Sequence, residues 1–447
     1  MATLTTTLDQ LQPPPLPIYS PSLPAPEYSY EPSSGEQRLD HTPNARRRIP
    51  TGTFVRKQGK VTIVLNDQED NVQIPVYGRH GLISGTILIE EYLSIAEVTL
   101  KVEGKLEATS SEVAPQSLRM FSDSHTIWTN RPGTTPSCPD HVPFIIPFPS
   151  TFQYNDSLQS LPPTFEGDFS GVRALYIHIA YAVTIVISGI QRRKGGLWAS
   201  KTKRVYIPFK YLPRTRSHRP IIRTPTFFSA IKSTPEEWYQ TGGVMNARPN
   251  SKTTPIEAHL FLPSGRVYSL EDTIPFHIQL TGAVSSLREL LGTCTSPSSP
   301  SSLPSQLAPR LRCALRVYLL RQVCLESRGR RSWRNITMGE GEVHPVPPLL
   351  ADRYGCPMTN CHGNEINALS ESRVENLDWE GELKVKNGQA ETASFSTGPI
   401  AVKDFIMLTL TPTRPVQSPL LELQLPVSIR LVTDSWMDIA NPEERLL

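Results

Sequence analysis

Apolar and polar positions alternate along much of this chain, most clearly between residues 174 and 190. Leu175, Ile177, Ile179, Tyr181, Val183, Ile185 and Ile187 take the odd positions, and Tyr176, His178, Ala180, Ala182, Thr184, Val186 and Ser188 the even ones. A period of two puts the apolar set on one face of a strand. A membrane-spanning helix has no reason to alternate, because it needs near-continuous apolarity over about 20 residues. His178, on the less apolar face, reads as a surface or satisfied histidine rather than a ligand. Val98, Leu100, Val102, Gly104 and Leu106 alternate with Thr99, Lys101, Glu103, Lys105 and Glu107. That is a half-buried antiparallel strand with one solvated face.

The same reading continues on both sides. Val61 to Leu65 and Gly81 to Ile89 are short strands, and His141 to Pro149, broken by prolines, suits an edge strand. Gln191 to Gly196 is a turn, and Arg204 to Tyr211 returns to complete a long hairpin. Further on, Ile256–Leu262, Ile274–Leu280, Cys313–Leu319, Phe405–Leu410 and Leu421–Leu431 read as strands. Helical signals are few: Leu287 to Leu291, Pro235 to Gln240 and the end of the chain. Many short strands without alternating helices predict an all-β protein of two antiparallel β-sandwich, immunoglobulin-like domains in tandem. The first is expected over 53–213 and the second over 226–434, with a basic, proline-bearing linker at 214–225. Residues 293–309 and 339–376 read as flexible inserts and 435–447 as a C-terminal tail.

Composition sharpens this picture. The 43 prolines in 447 residues argue against helical repeats, whose interiors proline breaks. Many of them crowd the first 50 residues, at Pro13 to Pro15, Pro17, Pro21, Pro24, Pro26 and Pro32. With almost no aliphatic periodicity, residues 1–50 are expected to form a disordered tail of polyproline II character. Forty-five Lys and Arg against 42 Asp and Glu give +3, which does not point to nucleic acid. Six thinly spread cysteines read as reduced thiols of an intracellular protein. The polar start, Met1 to Asp9, has no basic-then-apolar signal pattern.

Candidate chemistry is sparse. The chain carries no nucleophile elbow, phosphate loop, zinc-protease motif or dinucleotide fingerprint, so no catalytic residue, cofactor or metal is assigned. Cys356, Cys361 and His362, with His344 upstream, are the one metal-like grouping. Its second ligand pair is poor, and free thiols in a loop are the preferred reading. Arg192, Arg193, Lys194, Lys201, Lys203 and Arg204 gather six cations on one hairpin. They are either a solvated tip or a collector of phosphates, from acidic lipid headgroups or a phosphorylated tail. In the tail, Leu16-Pro17-Ile18-Tyr19 fits the relaxed Leu-Pro-x-Tyr form that WW domains bind, and Pro26 with Tyr28 gives a weaker site. Ser20, Ser296 and Ser299, and also Ser418, each precede a proline and are candidate phosphosites.

Gly81-Leu-Ile-Ser-Gly-Thr-Ile-Leu-Ile, Ile95 to Lys105, Pro143-Phe-Ile-Ile-Pro-Phe-Pro, Leu161-Pro-Pro-Thr-Phe-Glu-Gly and Val172 to Ala182 follow one another in an order that resembles the arrestin-like N-terminal domain, especially of fungal alpha-arrestins. Val267 to Phe276 and Pro426 to Asp434 are similar to the opening and close of the arrestin C-terminal domain. The resemblance covers roughly residues 53 to 434. It implies an arrestin-type pair of sandwiches without enzymatic activity. It also implies a cytoplasmic adaptor, peripheral at the plasma membrane or endosomes, that binds cytosolic tails of membrane proteins. Such adaptors recruit a HECT-type ubiquitin ligase through proline-tyrosine motifs for endocytosis. No full Pro-Pro-x-Tyr is present here. A retromer-like or scaffolding arrestin-fold protein that sorts vesicles without a ligase is the alternative.

Overall fold

The computed structural model describes residues 50–90, 95–130, 138–192, 198–222, 226–291, 314–347, 372–412 and 414–436, without the side chains of 190–200. The predicted tail, the 293–309 insert and most of the C-terminal tail lie outside them. The described chain is mostly strand, arranged as two antiparallel sandwiches.

The first half contributes β1 (Gly52–Gln58), β2 (Val61–Gln68), β3 (Val76–Tyr77), β4 (Leu82–Ile89), β5 (Ile95–Ser110) and β6 (Gln116–Thr129). It continues with β7 (His141–Pro147), β8 (Thr151–Tyr154), β9 (Ser157–Ser160), β10 (Phe165–Phe169), β11 (Leu175–Arg192) and β12 (Trp198–Tyr211). One sheet has the order β1-β2-β4-β7; the other runs β3-β12-β11-β5-β6, with β10 also paired to β11. The odd positions from Leu175 to Ile187 are buried, as their spacing requires, against Ile63, Leu65, Ile83 and Ile87 of the facing sheet. His141–Pro147 is the edge strand that its prolines predict, and Pro143 and Pro147 sit at exposed positions.

The second half begins with α1 (Phe227–Ser233) and a single 3₁₀ turn at Pro235–Glu237. Its first strands are β13 (Trp238–Met245), β14 (Ile256–Pro263), β15 (Val267–Ser269) and β16 (Ile274–Ala283), followed by α2 (Val284–Leu291). The rest are β17 (Leu315–Ser327), β18 (Arg330–Glu340), β19 (Glu342–Val346), β20 (Val374–Leu383), β21 (Phe395–Thr397), β22 (Ile400–Leu410) and β23 (Leu423–Val432). Its sheets run β13-β14-β16-β20-β19 and β15-β23-β22-β17-β18, with β21 also paired to β22. The β17–β18 turn is tight because Arg328 and Gly329 both take positive φ, at 51° and 76°.

The structure corrects the expected elements in several places. Trp238 to Gln240 open a strand rather than extend a helix, and α1 was not foreseen. The 339–376 insert is ordered at both ends: Gly339 and Glu340 finish β18, Glu342–Val346 is β19, and β20 starts at Val374. β6 escaped notice because it is largely exposed and its apolar positions do not alternate cleanly.

The two sandwiches repeat one another in strand order, except that β19 and the β8–β9 hairpin have no counterpart among the described residues of the other half. β10 opens with Phe165 opposite Ile179, and β21 opens with Phe395 opposite Val402. One step along, Thr164 Oγ1 accepts the Tyr211 N–H at 2.8 Å, and Ser394 Oγ accepts the Leu431 N–H at 2.7 Å. Thr164 N–H donates back to the Tyr211 carbonyl (2.8 Å), and Ser394 N–H to that of Leu431 (3.0 Å). Parallel β3 meets β12 at Tyr77 and Tyr211, and parallel β15 meets β23 at Tyr268 and Leu431.

The halves join through equivalent surfaces. Val323, Leu325, Ile400 and Val402 of the second sandwich belong to the core of the first, together with their own counterparts Leu106, Ala108, Ile177 and Ile179. Phe165 meets Phe395 edge to face at 5.7 Å. Thr397 Oγ1 donates to the Ser160 carbonyl at 3.0 Å, and Lys210 pairs with Glu391 at 2.9 Å. The predicted linker is tied down as well. Thr215 N–H donates to Thr433 Oγ1 at 2.8 Å, and Asp434 N–H to the Thr215 carbonyl at 2.9 Å. The described residues of both halves accordingly form one compact unit.

Candidate functional site

The basic hairpin sits at one end of the first sandwich. Its strands pair in register from Tyr181 opposite Phe209 out to Arg192 opposite Trp198. Arg193 and Lys194 lie outside the described residues. Strand alternation divides the remaining cations. Val205, Ile207 and Phe209 are buried, so Lys203 and Lys201 continue the inward row past the end of the core. Arg204, opposite Val186, faces outward. The predicted cations therefore do not share one face.

The inward pair gains neighbours from the other sheet. Lys203 Nζ donates to the Gln58 carbonyl at 2.5 Å, on the turn that joins β1 to β2. That turn holds Gly59 at φ 59° and is flanked by Lys57 and Lys60. Lys57 Nζ pairs with Glu90 at 2.8 Å, with both side chains more than half exposed. Glu90's carboxyl is held below the usual carboxylate range, first by the Lys57 hydrogen bond, then by its charge and, more weakly, by Lys60 and Lys203. The end thus carries Lys57, Lys60 and Lys203 near Glu90, with Lys201 further along the same row and Arg204 on the outer face. Lys57 and Lys60 were not singled out from sequence; their only local signal is a glycine between two lysines at a strand turn. Such an array offers charge-assisted contacts to a phosphate surface.

The other candidates divide by position. Leu16, Pro17, Tyr19, Ser20, Pro26, Tyr28, Ser296 and Ser299 lie outside the described residues, as do Cys356, Cys361 and His362. His344 is exposed on β19, 3.9 Å from Glu342. Among the described residues no group of three His, Cys, Asp or Glu is arranged to hold a metal ion. Ser418 is buried, with Oγ donating to Glu289 at 3.0 Å and accepting the Leu420 N–H, so it is no accessible phosphosite. Cys138 and Cys324 are free, buried thiols, and burial pushes Cys138 up to about 11. No helix among the described residues is long and apolar enough to cross a membrane. No protein-family model matches the chain, and comparison with curated proteins finds no match.

Proposed function

We propose that this protein is a non-enzymatic, arrestin-like adaptor that binds cytosolic segments of membrane proteins. The observation that carries the reading is the tandem of two sandwiches with one strand order, held together by a shared core and a pinned connector. This architecture offers broad sheet faces in a fixed mutual arrangement, which suits holding partners rather than enclosing a small substrate. The basic end of the first sandwich adds a contact for acidic headgroups at the membrane where those partners sit. The Leu16-Pro17-Ile18-Tyr19 motif adds a link to WW domains of a HECT-type ligase.

Two measurements test this. Immobilised ligase WW domains should capture the full chain and lose it on Tyr19→Ala; equal capture of both removes the ligase link. Vesicles containing anionic lipid should retain the protein and release it when Lys57, Lys60, Lys201, Lys203 and Arg204 are changed to Gln. Unaltered vesicle binding removes the membrane contact. If deleting the first 50 residues leaves sorting of its cargo intact, the scaffolding alternative replaces the adaptor.

A further inference from the structure

The outer face of the β13-β14-β16-β20-β19 sheet differs in kind from the basic end. Ile274, Phe276, Ile278 and Leu280 of β16 point into the core, which leaves Pro275, His277 and Gln279 facing outward. Register sets Glu382, Glu380 and Asp378 of β20 beside those three. Glu342 and His344 of β19 come next, opposite Glu382 and Glu380. α1 packs on part of this face. The Phe227 ring lies flat on His277, centroids 3.8 Å apart and 9° between planes, and packs edge-on against Trp238. The uncovered part is a cleft of about 810 Å³ with Phe227 and Trp238 on one side, Glu342, Glu380 and Glu382 on the other, and Lys384 lining it as well.

Two independent features of this cleft are unfavourable in the free protein. Glu342 stands directly opposite Glu382, and like charges in that relation destabilise a sheet. Neither Glu380 nor Glu382 forms an ion pair among the described residues. The fold does not require this acidity. The equivalent face of the first sandwich sets Leu82, Ser84 and Thr86 beside Pro147, Ile145 and Pro143. The second feature is His277 itself, 1% exposed. One ring nitrogen, Nε2, bonds Asp378 Oδ1 at 2.9 Å, while Nδ1 is buried without a partner on the cleft wall. A carboxylate only accepts, so Nε2 carries the hydrogen and, in the neutral ring, Nδ1 is left an acceptor. A buried acceptor without a donor costs free energy. A ligand rich in N–H groups and positive charge relieves the opposed carboxylates, and His277 lies on the same wall.

We propose that this cleft docks a segment of a partner protein that carries arginine or lysine beside an apolar residue. A guanidinium bridges carboxylates in paired hydrogen bonds and stacks on an indole, here Trp238. The neighbouring apolar residue rests on Phe227 and Ile222, a contact that a free polyamine or metal ion cannot use. This surface stands apart from the basic end, so the proposal holds or fails independently of the adaptor reading.

The test uses the full-length protein and a short fluorescent peptide alternating arginine and leucine, followed by anisotropy. Wild type should bind, and binding should weaken as salt rises. E380Q/E382Q should bind about tenfold more weakly or worse, as loss of complementary charge predicts. Its thermal midpoint should not fall, because the substitution relieves the opposition to Glu342. K384E should bind more tightly, which keeps the proposal testable if the double variant does not fold. Equal affinity across the three proteins overturns the proposal. So does spermine displacing the peptide at equal cation concentration, since that removes the role of the aromatic wall.

Discussion

The two sandwiches solve one local problem with opposite chemistry. In each, a short strand runs antiparallel beside a central strand, and the residue three before it presents a backbone carbonyl to the core. In the first, that carbonyl is Pro162's, and the Tyr181 hydroxyl donates to it at 2.5 Å. In the second it is Thr392's, and Arg321 Nη1 donates at 2.9 Å. The matching is positional: Tyr181 pairs across the ladder with Gly104, and Asp404 pairs with Arg321. The donor has moved from one strand to its neighbour. Gly104 leaves room for the Tyr181 ring, stacked 5.9 Å from Phe209 and 6.2 Å from Phe121. Arg321, almost fully buried, instead lies bidentate on Asp404 at 2.7 and 3.0 Å, and Ser394 Oγ donates to the same carboxylate at 2.6 Å. A buried acceptor must be met, but the fold leaves open by what.

The largest expected effect separates the two solutions. Arg321→Met strips the charge partner from buried Asp404 and should cost about 3–5 kcal/mol in urea unfolding. Arg321→Met with Asp404→Leu should recover most of it, because replacing both members of a buried pair by apolar groups is often near neutral. A single substitution that costs no more than its aromatic counterpart would erase the contrast.

Gly104→Ala probes the other solution. An added Cβ would lie 2.6 Å from the Phe121 ring and 2.8 Å from that of Tyr181. Both rings are locked among aromatic neighbours, so the loss should fall near 2–3 kcal/mol, the upper part of the range for overpacking. Tyr181→Phe keeps the rings and removes only the donor. About 1–2 kcal/mol is expected from the unmet Pro162 carbonyl, measured the same way. If Tyr181→Phe costs as much as Arg321→Met, the hydroxyl rather than the packing holds the layer.

The smallest effect belongs to the exposed pair Lys57–Glu90, set against the buried pair Arg321–Asp404. Glu90's carboxyl is depressed in the folded state, so its contribution is present above the ordinary carboxylate range and fades as pH falls through it. E90Q should therefore differ slightly from wild type in thermal midpoint at neutral pH and converge with it in acid. A large gap at neutral pH would make this surface pair more than its exposure allows.

Much of the fold was legible in the chain, and the reason is periodicity. Leu175 to Ile187 and Val98 to Leu106 alternate over long stretches because each strand has one buried and one wet face. β19 was not legible, since only Val343 and Val346 in it are aliphatic. The internal repeat was hidden for a different reason. Its equivalent positions hold Gly104 and Arg321, or Tyr181 and Asp404, and these share a register but no side-chain chemistry. At the basic end, Lys201, Lys203 and Arg204 stood out as a run. Lys57 and Lys60 did not, because the contact that gathers them, Lys203 to Gln58, spans 145 residues of sequence.

The meeting of Phe165 with Phe395 has a reading in terms of symmetry. Each phenylalanine opens the same short strand of its own half, so at this point the join sets equivalent positions face to face, although Thr397–Ser160 and Lys210–Glu391 have no reciprocal contact among the described residues. Identical subunits related by a two-fold axis make contacts of this kind, in which one patch serves both sides. Behind that shared point of contact the two halves differ, one carrying an aromatic layer and the other an ionic one.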